Sequence, residues 1–289
     1  MRNRHGLVMA VVALALVPAL TQAAESATAQ QQVRANMGAF RARENQLIEA
    51  AEKLSTPRMA DGRIDLTGTF PTDFYMAGTQ ANRAGGNIIL ISPEYGRGGR
   101  QPMPADGPKY KPEHLAKVDF NDINQPKVDG TFHCGWPGTP RIGSPQQIFQ
   151  TPREVVFLYK DYSGMVWRVI PTDGRKHRDV DPTYFGDSVG KWEGDTLVID
   201  SVNFVEDTWF GERGYFHSDK MRVTERITRK GDVLYWEARV EDPEVLAAPY
   251  LIKQRKFRKA AEGTLLEEPP RCVENDFKDM VNMDNHGQR

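Results

Sequence analysis

The chain has 289 residues, and its 38 lysines and arginines nearly balance 39 aspartates and glutamates, leaving a formal charge of −1. So even a balance argues against a nucleic-acid binder held by a strongly basic surface. Only two cysteines are present, which excludes a cysteine-dense scaffold or a cysteine cluster with zinc spacing.

Residues 1–23 read as a signal peptide. Arg2 and Arg4 form a basic start, Leu7 to Leu20 an apolar run, and Thr21-Gln22-Ala23 a small-residue cleavage site. The run is roughly 14 residues, short of the ~20 that a spanning helix needs. Cleavage would remove Arg2 and Arg4 but no acid, taking the formal charge from −1 to −3. A periplasmic or secreted protein is expected, and the lack of a second apolar span predicts no membrane crossing.

Residues 24–57 form the next segment. Val33, Met37, Phe40, Leu47, Ile48, Ala51 and Leu54 recur at helical spacing, predicting a helix over 30–54 that Ser55-Thr56-Pro57 ends. Its apolar stripe could pack on its own domain or pair two copies in a homodimer. Residues 58–146 read as an extended, loop-rich segment with edge strands. Between Pro93 and Pro145 glycine and proline are dense enough to forbid long regular elements, apart from a short helix near Glu113 to Lys117. Such a loop suits a lid or rim over a site, or a surface wrap.

Residues 147–275 read as an antiparallel meander that forms one domain with 58–146, and 276–289 as a polar tail. Strands are expected at Glu154–Tyr162, Met165–Pro171, Asp187–Trp192, Thr196–Phe204, His217–Arg229, Val233–Asp242 and Pro249–Phe257. Further strands are expected near Asp65–Phe70, Asn87–Ser92 and Thr264–Glu267. Glu193-Gly194-Asp195 and Lys230-Gly231-Asp232 share hairpin chemistry. The fold class is therefore mainly β: an up-and-down barrel of the lipocalin or calycin kind, or a strongly curved sheet. An open sheet or sandwich is the alternative. In an oxidising compartment Cys134 and Cys272 predict one disulfide, the alternative being two separate buried thiols.

DGRIDLTGTF at 61–70, CGWPGTPR at 134–141, DPTYFGDSVGKWEGDTLVIDSVNF at 181–204 and TWFGERGYFHSDKMRVTER at 208–226 resemble a family of uncharacterised secreted bacterial proteins. The resemblance spans roughly residues 60 to 275. It implies export and a β architecture, and it brings no activity with it. The family pattern has a histidine before SVG, where this chain has Asp187.

The candidate chemistry comes from strand phase. In a strand starting at His217, the residues His217, Asp219, Met221, Val223, Glu225 and Ile227 share one face. Three ionisable groups among apolar ones point to acid–base catalysis by His217, Asp219 and Glu225 on a small, partly hydrophobic or aromatic molecule held in a barrel pocket. Lyase or isomerase chemistry fits better than hydrolysis. The alternative is that Glu225 pairs with an inward arginine while His217 and Asp219 lie in the loop before the strand. Tyr184 and Asp187 at a barrel rim, His133 beside Cys134, and an interior Trp236 are candidate substrate-binding residues. His177 reads as solvated surface. His217, Asp219 and His133 could form a metal set, but HExxH, GxSxG and Walker motifs are absent and no cofactor is expected. A carrier using the same cavity without turnover is the competing function.

Overall fold

The computed structural model describes residues 42–71, 104–161 and 163–269, together with Ala39 and Cys272. The expected signal peptide, the polar tail and the strand near Asn87–Ser92 lie outside the described residues. Two compact units divide the chain, Met1–Ala50 and Ala51–Arg289. A helix, α1, runs over 42–51, so it stops three residues earlier than the periodicity predicts. Among the described residues no helix is long and apolar enough to cross a membrane.

Among the described residues the second unit holds nine strands in two antiparallel sheets. One sheet holds β1 (Gly68–Thr69), β2 (Gln147–Gln150), β3 (Glu154–Asp161) and β4 (Gly164–Pro171), paired in that order. The other holds β5 (Asp187–Glu193), β6 (Thr196–Val202), β7 (Arg222–Lys230), β8 (Val233–Glu241) and β9 (Tyr250–Arg258), again paired in sequence. Among the described residues no closed barrel forms. β4 and β5, joined by the irregular 172–186 segment, lie near each other without a ladder between them. Across the other opening, Ala260 N–H donates to the Thr69 carbonyl at 2.8 Å. The described residues are thus mainly β, in two antiparallel sheets.

The hairpin reading holds where turn chemistry dictates it. Gly194 and Gly231 are each the first residue of a two-residue turn and have φ of 59° and 57°, the conformation that glycine supplies there. At Gly231 the need is doubled, since a Cβ would lie 2.1 Å from the Ala51 carbonyl oxygen. That carbonyl accepts from Asp232 N–H at 3.0 Å.

Two expected strands are corrected. β7 starts at Arg222, not at His217. Asp242 accepts from Ser218 N–H at 2.7 Å and from Ser218 Oγ–H at 2.9 Å, and Met221 N–H closes a turn on the Ser218 carbonyl at 3.2 Å. Backbone groups committed to that turn cannot pair in a ladder. Residues 264–267 are irregular, beginning with a Thr264 N–H to Ala261 carbonyl bond of 3.1 Å. The 104–145 stretch, conversely, is more helical than its composition suggests. It contains α2 (Leu115–Ile123) and α3 (Gln125–Val128), with 3-10 turns at Pro112–His114 and Gly130–His133.

Alternation places Val155, Phe157, Tyr159, Val166 and Ile170 of one sheet in a common core with Leu197, Ile199, Val223, Ile227, Trp236 and Val240 of the other. These side chains fill the space where an apolar pocket was expected. A polar cluster is sealed among them. Arg168 Nη2 donates to Glu225 Oε2 at 2.6 Å and approaches Ser188 Oγ and Ser201 Oγ at 3.1 and 3.3 Å. Arg168 Nη1 donates to Tyr159 Oη at 3.1 Å, and Trp236 Nε1 donates to Glu225 Oε1 at 3.0 Å. Burial opposes the Arg168 charge, but the adjoining Glu225 carboxylate outweighs it and holds the guanidinium above its ordinary value. Cys134 and Cys272 form the expected disulfide, with Cα atoms 5.8 Å apart, which ties the 104–145 segment to the chain beyond β9.

Candidate functional site

The structure does not unite His217, Asp219 and Glu225. His217 is buried; its Nδ1–H donates to the Ser218 carbonyl and its Nε2 accepts from Thr208 Oγ–H, both at 2.8 Å. Asp219 is exposed and pairs with Lys220 Nζ at 2.5 Å. Glu225 is the inward partner of Arg168, so the arrangement is the alternative in which His217 and Asp219 precede the strand. His133 is exposed at the end of its 3-10 turn. Among the described residues no group of three or more His, Cys, Asp or Glu side chains could hold a metal ion, so the His217, Asp219 and His133 set is not assembled.

Trp236 is interior, as its phase predicts. Asp187 is buried and fully engaged: Arg178 donates to it from N at 3.0 Å and from Nε at 2.8 Å. His177, expected on the solvated surface, is instead half-buried, with Nδ1 3.1 Å from Asp187 and Nε2 2.9 Å from Asp200.

Burial disfavours the imidazolium of His217 and pulls its pKa below the ordinary 6.5, although the Ser218 carbonyl acts in the other direction. A depressed histidine pKa means that the unfolded chain takes up the proton first. The contribution of His217 is therefore complete above about pH 6.5 and is lost as pH falls through the folded value. His217→Phe is expected to cost about 1–3 kcal/mol at neutral pH by stranding its buried hydrogen-bond partners. It should also reduce the loss of stability on acidification, as urea denaturation at pH 7.5 and pH 5.5 would show.

The distinctive motifs do converge, through other residues. Gly138, at φ 74°, lets CGWPGTPR lie against the 181–187 segment and Thr208, since a Cβ there would be 2.8 Å from the Tyr184 carbonyl oxygen and 3.2 Å from Thr208 Cβ. Trp136 meets Tyr184 edge-on at 5.6 Å and Phe185 at 6.0 Å. The side chain of Arg141 is buried and grips Asp129 with two bonds, Nη1 to Oδ1 at 2.8 Å and Nη2 to Oδ2 at 2.6 Å. Asp129 is held in turn as the cap of the 3-10 turn that follows it, accepting from Thr131 N–H at 3.1 Å.

Between β6 and β7 the chain doubles back on itself. Trp209 bridges to Phe216, and Phe210 N–H donates to the Tyr215 carbonyl at 3.0 Å, leaving Glu212 at the tip. Its carboxyl lies 3.7 Å from Arg141 Nε, and the Trp209 ring sits 5.6 Å from the same guanidinium. Arg255 approaches from β9. The register pairs Trp236 with Arg255 but Ala238 with Ile252, so a bulge inserts an extra residue and turns Arg255 to the inner face beside Trp236. Its guanidinium lies 5.6 Å from the Trp236 ring.

One guanidinium thus serves two carboxyls whose environments drive them apart. Burial pushes Glu212 up to about 7, against the pull of Arg141, and the Asp129 charge adds to the rise. Burial also disfavours ionised Asp129, but Arg141 and the Thr131 bonds outweigh it and hold that carboxyl below its usual range. Asp161, at the end of β3, is raised by burial despite accepting from Ser163 N–H. A carboxyl balanced near neutral pH beside a permanently ionised one is the division of labour that proton-transfer sites require.

No family model matches the chain, and neither does any curated protein. The case for function therefore rests on this cluster, which phase analysis did not reveal.

Proposed function

We propose that this protein is an exported enzyme that performs acid–base chemistry on a small, partly hydrophobic molecule, with Glu212 as the proton-transferring group. The observation that carries the reading is Arg141 shared between ionised Asp129 and a Glu212 carboxyl pushed up to about 7. With 13% of its side chain exposed, Glu212 is reachable yet largely dry. In its ionised form it removes a proton from carbon next to a carbonyl; in its protonated form it returns one or assists a leaving group. This favours lyase or isomerase chemistry and replaces His217, Asp219 and Glu225 in the catalytic role. The disulfide supports an oxidising compartment.

The test is turnover, followed by NMR, of a panel of small carbonyl compounds and hydroxy acids between pH 5 and pH 9. An activity with a limb near pH 7 that disappears in Glu212→Gln supports the reading. A ligand that co-purifies unchanged, with no turnover anywhere in the panel, assigns the site to a carrier instead.

A further inference from the structure

Among the described residues Arg255 is a largely buried cation that no carboxylate answers directly. Arg141 is committed to Asp129 by two hydrogen bonds, and Arg168 to Glu225. Among the described residues Arg255 makes no hydrogen bond or ion pair, although the neighbouring side chains are mostly apolar or aromatic. Its pKa is drawn below the ordinary guanidinium value by burial, which Tyr250 and Glu212 only partly oppose. A partly buried guanidinium without a counter-ion is costly, and the bulge in β9 is what keeps it there instead of in solvent.

We infer that the site takes a small monocarboxylate, its anionic group bound in the fork of Arg255 and its apolar body against the aromatic side chains beside it. The inference rests on reading the cluster as a small-molecule site, but not on the proton-transfer role of Glu212.

Three features select this class. The Trp236 ring lies 5.6 Å from the guanidinium, and among the described residues no acceptor takes its N–H groups, which suit a planar, two-oxygen partner. Glu212 is the carboxyl within electrostatic reach of Arg255, and with a pKa of about 7 it leaves that guanidinium unanswered while it carries its proton. A single negative charge answers Arg255, whereas the second charge of a dianion would find Arg141 already committed to Asp129. The surroundings are aromatic as well: Tyr250 lies within electrostatic reach of Arg255 and meets Phe210 at 5.9 Å and Tyr215 at 6.3 Å. An apolar or aromatic body suits such walls.

The experiment is calorimetric titration of the full chain, and of its Arg255→Met, Arg255→Lys and Glu212→Gln variants, with benzoate, phenylacetate, phenylacetamide and phenyl phosphate. At least one carboxylate should bind, and more tightly than phenylacetamide or phenyl phosphate. Arg255→Met should weaken the carboxylate roughly 10- to 100-fold and leave the amide unchanged, as expected for loss of a charge-assisted pair. Arg255→Lys guards against misfolding of the methionine variant and should lose affinity too, because it keeps the charge without the fork. Equal binding of acid and amide, preference for the phosphate, absence of binding, or unchanged affinity in both Arg255 variants would overturn the inference. Glu212→Gln should still bind the carboxylate. Retained binding with lost turnover separates the anchor from the acid–base group, and each can fail without the other.

Discussion

Arg168→Met should destabilise the fold by about 3–5 kcal/mol, the cost of leaving a sealed charge without its partner. Glu225 would keep only the Trp236 Nε1 bond, and Tyr159 Oη, Ser188 and Ser201 would lose the donor on which they converge. Glu225→Leu should cost a similar amount from the other side. The informative variant is the double one. With both charges replaced by apolar groups of similar volume no ion is stranded, so the pair should cost much less than the two single changes added together. Urea denaturation of the three variants measures the coupling. Additive losses would show that Arg168 and Glu225 contribute separately to the core and not as an ion pair.

Glu212→Gln is expected to lower turnover 10²- to 10⁴-fold, the usual contribution of one positioned acid–base group, while leaving the fold intact. The same variant has a second readout that needs no substrate. The folded-state pKa of about 7 lies above the ordinary 4.5, so the folded protein holds a proton that the unfolded chain has released. Stability from this group is complete below about pH 4.5 and is lost as pH rises through 7, a change of about 3 kcal/mol from such a shift. Glutamine cannot titrate. The difference in unfolding free energy between wild type and variant should therefore change between pH 5 and pH 8 and then level off. A difference independent of pH would mean that Glu212 is ionised throughout, and its role as the acid would fall.

Much of the β framework is legible in the sequence because it is periodic. Val155, Phe157 and Tyr159, or Leu234, Trp236, Ala238 and Val240, declare their inner face by alternation alone, and the Gly-Asp turns declare their hairpins. Arg168 could be read in the same way, since it alternates with Val166 and Ile170, and it is the inward arginine that Glu225 required. Phase reasoning fails where the ladder does. His217 and Asp219 lie in a turn imposed by Asp242, a residue distant in sequence, so counting in twos back from β7 gives them a face that does not exist. Asp129, Arg141 and Glu212 occupy irregular segments with no period to read. Their meeting depends on a close approach at Gly138 and on a hairpin tip, and neither announces its partner locally. The signal that was available is one of type: a buried bidentate pair needs an arginine, and CGWPGTPR ends in one.

The bulge in β9 gives this strand two reading frames. Upstream of it Tyr250 and Ile252 share a face; downstream that face belongs to Arg255 and Phe257, an odd step away. At the same length but without the bulge, regular alternation from Ile252 would turn Gln254 and Lys256 inward and Arg255 to water. Loss of one residue at 253–254 would abolish the bulge and still leave Arg255 in phase with Ile252, facing Trp236. The cation that faces Trp236 is therefore set by length and bulge together, and not only by identity at 255.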